Sequence, residues 1–193
     1  MSEFEFEPIR GLPAELPAGE RLLWQGSPTW KSTAGHVLHV RTIGWYFAAV
    51  IALRIAAGLY LGQSPQAIGV SLLWLTGLGL ATIAFLAWVA RLIASGTVYS
   101  VTSRRIVMRF GMVVPISVNI PFCAIQSVQL KTYADGTGDI PLRLDGNGRI
   151  AYPHLWPHAK PWAVKNPEPM LRGIPDARAA ADVLATALRE AAV

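Results

Sequence analysis

Residues 43–61 read IGWYFAAVIALRIAAGLYL and residues 67–90 read AIGVSLLWLTGLGLATIAFLAWVA, and these two runs decide the architecture. Between Thr42 and Ala90 the one charged residue is Arg54. A core helix of roughly 10–15 residues in a soluble protein does not give so long an uncharged stretch. As a helix the first run is about 28 Å long at roughly 1.5 Å per residue, close to one hydrocarbon thickness. The second has no charge and is long enough to span with some tilt. Gly62-Gln63-Ser64-Pro65-Gln66 between them is a short uncharged turn, so the pair predicts a transmembrane helical hairpin.

The composition of the whole chain agrees. Of its 193 residues 52% are hydrophobic and 15% charged, against roughly 25% charged in ordinary soluble domains. A cytosolic enzyme and a disordered tail are excluded on that ground. A disulfide-stapled secreted domain is excluded because Cys123 is the single cysteine. The net charge is +5, but the basic residues are scattered and form no run. They point to anionic lipid headgroups as the counter-charge and not to nucleic acid. Residues 1–20 carry five glutamates and three prolines and lack the basic start and apolar run of a signal peptide. They read as an extended cytoplasmic leader.

Flanking charge sets the orientation. Arg10, Arg21, Lys31 and Arg41 precede the first span, twelve Lys/Arg follow the second from Arg91 onward, and the hairpin tip has none. The positive-inside rule puts both termini in the cytoplasm. Trp45, Tyr46 and Trp88 then fall at one cytoplasmic interface, where aromatic belts occur. Arg54, near the middle of the first span, costs roughly 2.5–3.5 kcal/mol on insertion scales. It either snorkels or faces a partner within the bilayer. Ala48, Ala52 and Ala56, with Gly58 and Gly62, and Gly69, Gly77, Gly79 and Ala81 in the second span, keep the helix surfaces thin. Such residues allow close helix–helix approach, within the hairpin or against another protein.

From Gly96 the texture becomes β-type. Residues 97–102 (TVYSVT) and 105–110 (RIVMRF) flank Ser103-Arg104, and runs at 112–120 and 125–133 follow, with Pro115 and Pro121 where a strand bends or ends. The turn sequences 135–138 (DGTG) and 145–148 (DGNG) flank a strand at 140–144 and precede another at 149–152. A Pro-rich stretch covers 153–175. Residues 176–192 read as a helix capped by Asp176, with Val183, Leu184, Ala187, Leu188 and Ala191 on one apolar face. The division expected is a cytoplasmic leader with an interfacial segment (1–41), a two-helix hairpin (42–92), and a cytoplasmic α+β domain (93–193). That domain is an antiparallel bent sheet or small barrel capped by a C-terminal helix.

Few residues suggest chemistry. His36 and His39 lie three apart before the first span and would share a helix face, so they are candidate pigment ligands. His154 and His158 lie four apart but Pro157 intervenes, and no cysteine or carboxylate sits at ligand spacing, so no metal site is expected. Asp135, Asp139 and Asp145 lack the spacing of a calcium loop and read as turn residues. There is no nucleophile elbow, P-loop, HExxH or dinucleotide fingerprint, and no catalytic residue is expected. Arg104, Arg105 and Arg109 follow the second span closely; they are a solvated strand edge or a contact with anionic headgroups at the membrane surface.

Two resemblances rest on these residues. ERLLWQGSP at 20–28 before the hairpin and VYSVTSRRIV at 98–107 after it resemble membrane-anchored bacterial PH-like proteins. That implies a bent sheet of about seven strands capped by a C-terminal helix. DGTGDIPL at 135–142, YPHLWPHAKPW at 152–162 and PEPMLR at 167–172 look like the signature of the PuhB-type photosynthetic complex assembly proteins of purple bacteria, and the likeness covers nearly the whole chain from about Ile9. There is no dense Lys/Arg cluster of the kind that phosphoinositide-binding PH domains use, so headgroup-specific binding is not carried over. The second resemblance implies a non-enzymatic assembly factor in the bacterial inner (intracytoplasmic) membrane, with no cofactor of its own. Its partners would be reaction-centre and light-harvesting subunits, membrane lipid, and a second copy in a homodimer. Arg54, His154, Trp156, His158, Trp162 and Arg172 are then the candidate partner-binding residues. Two alternatives stay open: a generic membrane-anchored PH-like scaffold, and a protein that transiently handles bacteriochlorophyll through His36, His39 or the hairpin.

Overall fold

In the computed structural model, residues 11–12, 15–111, 115–145, 151–161, 163 and 166–191 are described, apart from the side chain of Pro153. After strand β1 (Leu22–Gly26) come a one-turn helix α1 (Trp30–Ser32) and a π-helical turn at Thr33–Val37. The two long helices follow, α2 (Val40–Tyr60) and α3 (Pro65–Ser95). Both are long and apolar enough to cross a membrane, and only 6% of the most apolar window of each is buried inside the chain. Most of their apolar surface is therefore turned outward from the chain.

Local chemistry explains the hairpin. Ser64 caps α3 by accepting from the Ala67 N–H at 3.3 Å, with Pro65 in the first turn, where its missing N–H costs nothing. The helices close on each other at two glycines. A Cβ at Gly58 would lie 2.8 Å from Ile68, and one at Gly79 3.0 Å from the Phe47 ring. Arg54 turns toward the tip, where its Nη2 donates to Gln63 Oε1 at 2.8 Å and to Ser71 Oγ at 3.0 Å. The small-residue series divides accordingly. Gly58 and Gly79 are buried in the hairpin, whereas Ala48, Ala52, Ala56, Gly69, Gly77 and Ala81 are exposed on its outside.

With 31 residues against 21, α3 is longer than α2. Its last turns run past the start of α2 and bury Ala90, Ile93 and Ala94. There the Arg91 guanidinium sits 4.0 Å over the Trp30 ring. Then α3 passes into β2 (Val98–Thr102) through Gly96 and Thr97 alone. No side chain fits at position 96, because a Cβ would lie 2.5 Å from the Gly111 carbonyl oxygen.

Outside the two long helices, the described residues form two four-stranded antiparallel sheets. The first has the order β1-β2-β3-β4, with β3 (Arg105–Phe110) and β4 (Ile116–Pro121). The second is built on β7 (Thr137–Leu144), which pairs with β5 (Ile125–Val128), β6 (Lys131–Thr132) and β8 (Met170–Pro175). A short helix α4 (Tyr152–Leu155) precedes β8, and α5 (Ala177–Ala191) ends the described chain. One core joins these layers: Tyr99, Ile106, Met108 and Ile120 from the first sheet, Ile140, Leu142 and Ile174 from the second, and Ala180, Leu184 and Ala187 of α5.

Several expectations change. The antiparallel sheet and terminal helix are present, but as two sheets facing one core. The segment 1–41 is not a separate leader, because residues 22–26 are a strand of the first sheet, paired with β2 from Leu22↔Thr102 to Gly26↔Tyr99. All five residues of β2 are buried, so both faces of this strand are covered, while β1 and β3 pair along its edges. The run at 125–133 splits into β5 and β6. Residues 112–114 and 146–150 lie outside the described residues, and Tyr152 opens α4 instead of ending a strand. Asp176 has φ 51°, the left-handed region, not the extended conformation of a side-chain N-cap.

Leu184 is fully buried on α5. Leu184→Ala is expected to destabilise the fold by about 2–5 kcal/mol. The loss is readable as a lowered unfolding midpoint of the detergent-solubilised chain, with exposed Glu190→Ala as a control that leaves it unchanged.

Candidate functional site

The blocks that carried the resemblance meet in one place. His158, Ala159 and Lys160 run alongside residues 168–170: the Lys160 N–H donates to Glu168 O at 2.9 Å and the Met170 N–H to His158 O at 2.8 Å. Lys160 Nζ adds an ion pair to Glu168 Oε2 at 2.7 Å. YPHLWPHAKP and PEPMLR therefore form one folded unit against β8.

His158 sits at its centre, 3% exposed. Its Nδ1 lies 2.7 Å from Tyr99 Oη and its Nε2 3.3 Å from Thr97 Oγ1. Thr97 Oγ1 donates to the Ile93 carbonyl at 2.7 Å, and the Arg172 N–H donates to Tyr99 Oη at 3.2 Å. These directions fix the protons. Tyr99 gives its hydrogen to Nδ1, and Nε2–H donates to Thr97, which is a neutral imidazole. A continuous buried chain thus runs from the last turn of α3 to β8. Burial, with the Arg172 charge nearby, holds His158 down at about 3, and burial raises Tyr99 well above the usual phenol range.

A second network holds the juxtamembrane turn. The Thr29 N–H donates to Gly173 O at 3.0 Å, and the Ser32 and Thr137 hydroxyls are 3.1 Å apart. Gly173 has φ 62°, and a Cβ there would meet Ser32 Oγ at 3.1 Å, so both conformation and space demand glycine. Arg172 pins the turn to the domain: Nη2 donates to His36 O at 3.3 Å and Nη1 to Pro157 O at 3.1 Å. Its Nε, without a hydrogen-bond partner, is 3.9 Å from Asp139 Oδ2. Asp139, itself buried, accepts from the Gly173 N–H at 2.9 Å and from Tyr133 Oη at 2.7 Å. Burial and the bond to Asp139 raise Tyr133 above the usual phenol range. The His36 ring stacks on Tyr133 at 3.7 Å and 8°, with Nε2 3.5 Å from Asp135 Oδ2. Hydrogen bonds from Thr137, and the contact with His36, hold Asp135 below the usual carboxylate range.

Between these networks opens a cleft of about 740 Å³, walled by the 36–39 turn, the β6 edge and the 152–161 block. His36, His39, Lys131, Trp156, Lys160 and Arg172 face it. Four residues named from sequence, His36, His39, Trp156 and Arg172, are thereby brought together. His36 and His39 do not share a helix, because the π-turn ends between them and His39 takes φ 52° as the cap of α2. One of the two His36 ring nitrogens is already engaged by Asp135. Trp156 and His154 are exposed. His158 and Arg172, expected at a partner surface, are instead internal: one is enclosed by the core, the other spends its fork on two carbonyls. Trp162 lies outside the described residues. The two described donor bonds of Arg54 end inside the hairpin.

The three arginines read as a solvated strand edge or a headgroup contact take three different places. Arg105 makes a two-pronged pair with Glu20, Nε–Oε1 2.9 Å and Nη2–Oε2 3.1 Å. Burial pushes Glu20 up, but hydrogen bonds from Thr102 and Arg105 and the charges of Arg105 and Arg104 hold it below the usual value. Arg104 is exposed in the β2–β3 turn, at the end of β2 remote from α3, about 15 Å along the strand at roughly 3.3 Å per residue. Arg109, nearer the helix, is buried. The β2–β3 hairpin runs away from α3, so its turn lies at the end of the first sheet far from the two long helices. Sequence reasoning missed Thr97, Tyr99, Lys131 and Tyr133. Asp139, taken for a turn residue, is a buried acceptor; its one signal was a carboxylate inside the apolar stretch 137–144.

The neutral His158 predicts a pH dependence. Unfolded, the imidazole takes up a proton below about 6.5, whereas folded it does so only near 3. Its contribution is complete above pH 6.5 and is lost as the pH falls toward 3. Thermal unfolding of the detergent-solubilised chain is expected to shift down between about pH 7 and 5, where carboxylates stay ionised. His158→Gln keeps one acceptor and one donor, and should flatten that slope while lowering the midpoint at pH 7.

Comparison with known proteins agrees with this architecture. Residues 39–188 match the family model described as bacterial PH domain. The chain is 33% identical over 188 residues, 96% of its length and 87% of the relative's, to an uncharacterized 23.7 kDa protein in the puhA 5′ region of Rhodobacter capsulatus. No solved structure matches. With two PH-type sheets closed by α5 and a family match over three-quarters of its length, the chain belongs to the bacterial PH domain family.

Proposed function

We propose that this protein is a non-enzymatic assembly factor for the photosynthetic reaction centre and its light-harvesting surround, acting in the bacterial inner membrane with both termini in the cytoplasm. The observation that carries the reading is the relative encoded in the puhA 5′ region, beside a reaction-centre gene, and 33% identical across nearly the whole chain. The motif blocks at 135–142, 152–162 and 167–172 support it. The physical arrangement suits the task. The outer faces of α2 and α3 offer small residues to a partner helix in the bilayer. Meanwhile exposed Trp156 and His154 stand on the domain above, and rigid aromatics are the usual anchors of protein interfaces.

The test is recovery of the tagged chain in mild detergent from phototrophically grown cells, with a mass-spectrometric inventory and an absorption spectrum. Reaction-centre subunits are expected in the eluate, and bacteriochlorin absorption would mark pigmented intermediates. A colourless eluate of bait and lipid alone would replace this reading by a generic membrane scaffold. Trp156→Ala is expected to cut recovered subunits about tenfold, in the range of an interface hot spot, with the unfolding midpoint unchanged. Full recovery would remove Trp156 from the partner surface.

A further inference from the structure

Among the described residues three cations line the cleft, Lys131, Lys160 and Arg172, against one carboxylate, Asp139. Asp139 is 3% exposed and already engaged by Tyr133, Gly173 and Arg172. The charge the cleft shows outward is therefore positive. Lys160 is shared with Glu168. Lys131, exposed on the two-residue strand β6, has its ammonium 5.1 Å from the centre of the Tyr133 ring and no carboxylate in an ion pair with it among the described residues, so it is the principal cation offered to an anion. Beside these lies apolar surface: Leu130 and Trp156 keep 40% and 52% of their area exposed. One wall ends at His39, the cap of α2. The next turns of α2 carry Trp45 and Tyr46, both well exposed. Aromatics at a helix end mark the headgroup layer, so the cleft stands at that depth.

A cationic rim over apolar surface, at the water boundary of a bilayer, suits an amphiphile whose anion stays in water while its chain runs inward. An apolar groove alone would suit many occupants, but the charge and the depth together select one. We propose that the cleft holds one anionic phospholipid, its phosphate drawn to Lys131 and Lys160 and its acyl stem laid against Leu130 and Trp156. The selection is for negative charge on an amphiphile, with no preference for a particular headgroup. This goes beyond the assembly reading and does not rest on it.

The test uses the full chain, delipidated in mild detergent and titrated with phosphatidylglycerol or phosphatidylcholine, with bound lipid counted by native mass spectrometry. The first equivalent of phosphatidylglycerol is expected to bind about tenfold more tightly than phosphatidylcholine, the effect of one or two cations near the anion. Lys131→Glu should abolish that preference, and Leu130→Asp should weaken both lipids. Arg104→Glu, on the far turn of the first sheet, should change neither. Equal first-equivalent affinities, or a preference that survives Lys131→Glu in a variant with an unchanged unfolding midpoint, would overturn the proposal. Two further outcomes would also overturn it: glycerol phosphate competing as strongly as the lipid, which assigns the cleft to a soluble anion, or a co-purified acidic protein segment cross-linking to Lys131 in place of lipid.

Discussion

A buried imidazole that must stay neutral joins the long apolar hairpin of this protein to its sheets. From the Ile93 carbonyl through Thr97, His158 and Tyr99 to the Arg172 amide, every polar atom has its partner among the others, and Thr97, Tyr99 and His158 are buried. Buried polar groups are tolerated only when satisfied, and a partly satisfied set costs more than an apolar one. The chain of bonds therefore admits one relative placement of α3, β2, β8 and the 152–161 block. The juxtamembrane turn then completes the arrangement through Arg172, which reaches back from β8 to His36.

That dependence accounts for what was legible in the sequence. The hairpin was readable because hydropathy over twenty residues is a local property, and the terminal helix because its apolar face repeats every three or four residues. The strands around Ser103-Arg104 were readable from their turn chemistry, in which the Thr102 hydroxyl accepts from the N–H groups of Arg104 and Arg105. What could not be read depends on pairs distant in sequence. Nothing near Leu22 says that it pairs with Thr102, some 80 residues later. Nothing near His158 says that its neighbours are Thr97 and Tyr99. The places of the arginines were hidden for the same reason: their distance from α3 in space is set by the direction of a β-hairpin, not by their distance along the chain.

The candidate site was half legible. Unusual composition singled out the 152–162 and 167–172 blocks, and both do lie at the cleft. Composition could not separate residues that hold the fold from residues that face outward. Burial makes that separation: His158 and Arg172 hold, Trp156 and Lys131 face out. Unusual residues are thus conspicuous here for two different physical reasons within one short block.

The passage from α3 to β2 through Gly96 and Thr97 leaves no swivel between hairpin and domain. Each residue of an α-helix advances the chain by about 1.5 Å and turns it by about 100°. The number of residues between the hairpin and Gly96 is consequently an angular setting. One residue more or fewer would leave the hairpin as it is, yet swing the domain by more than a quarter of a circle about the axis of α3. The cleft and Trp156 would then look out in a different direction around that axis. The bearing of the domain about the hairpin is written into this chain as a helix length.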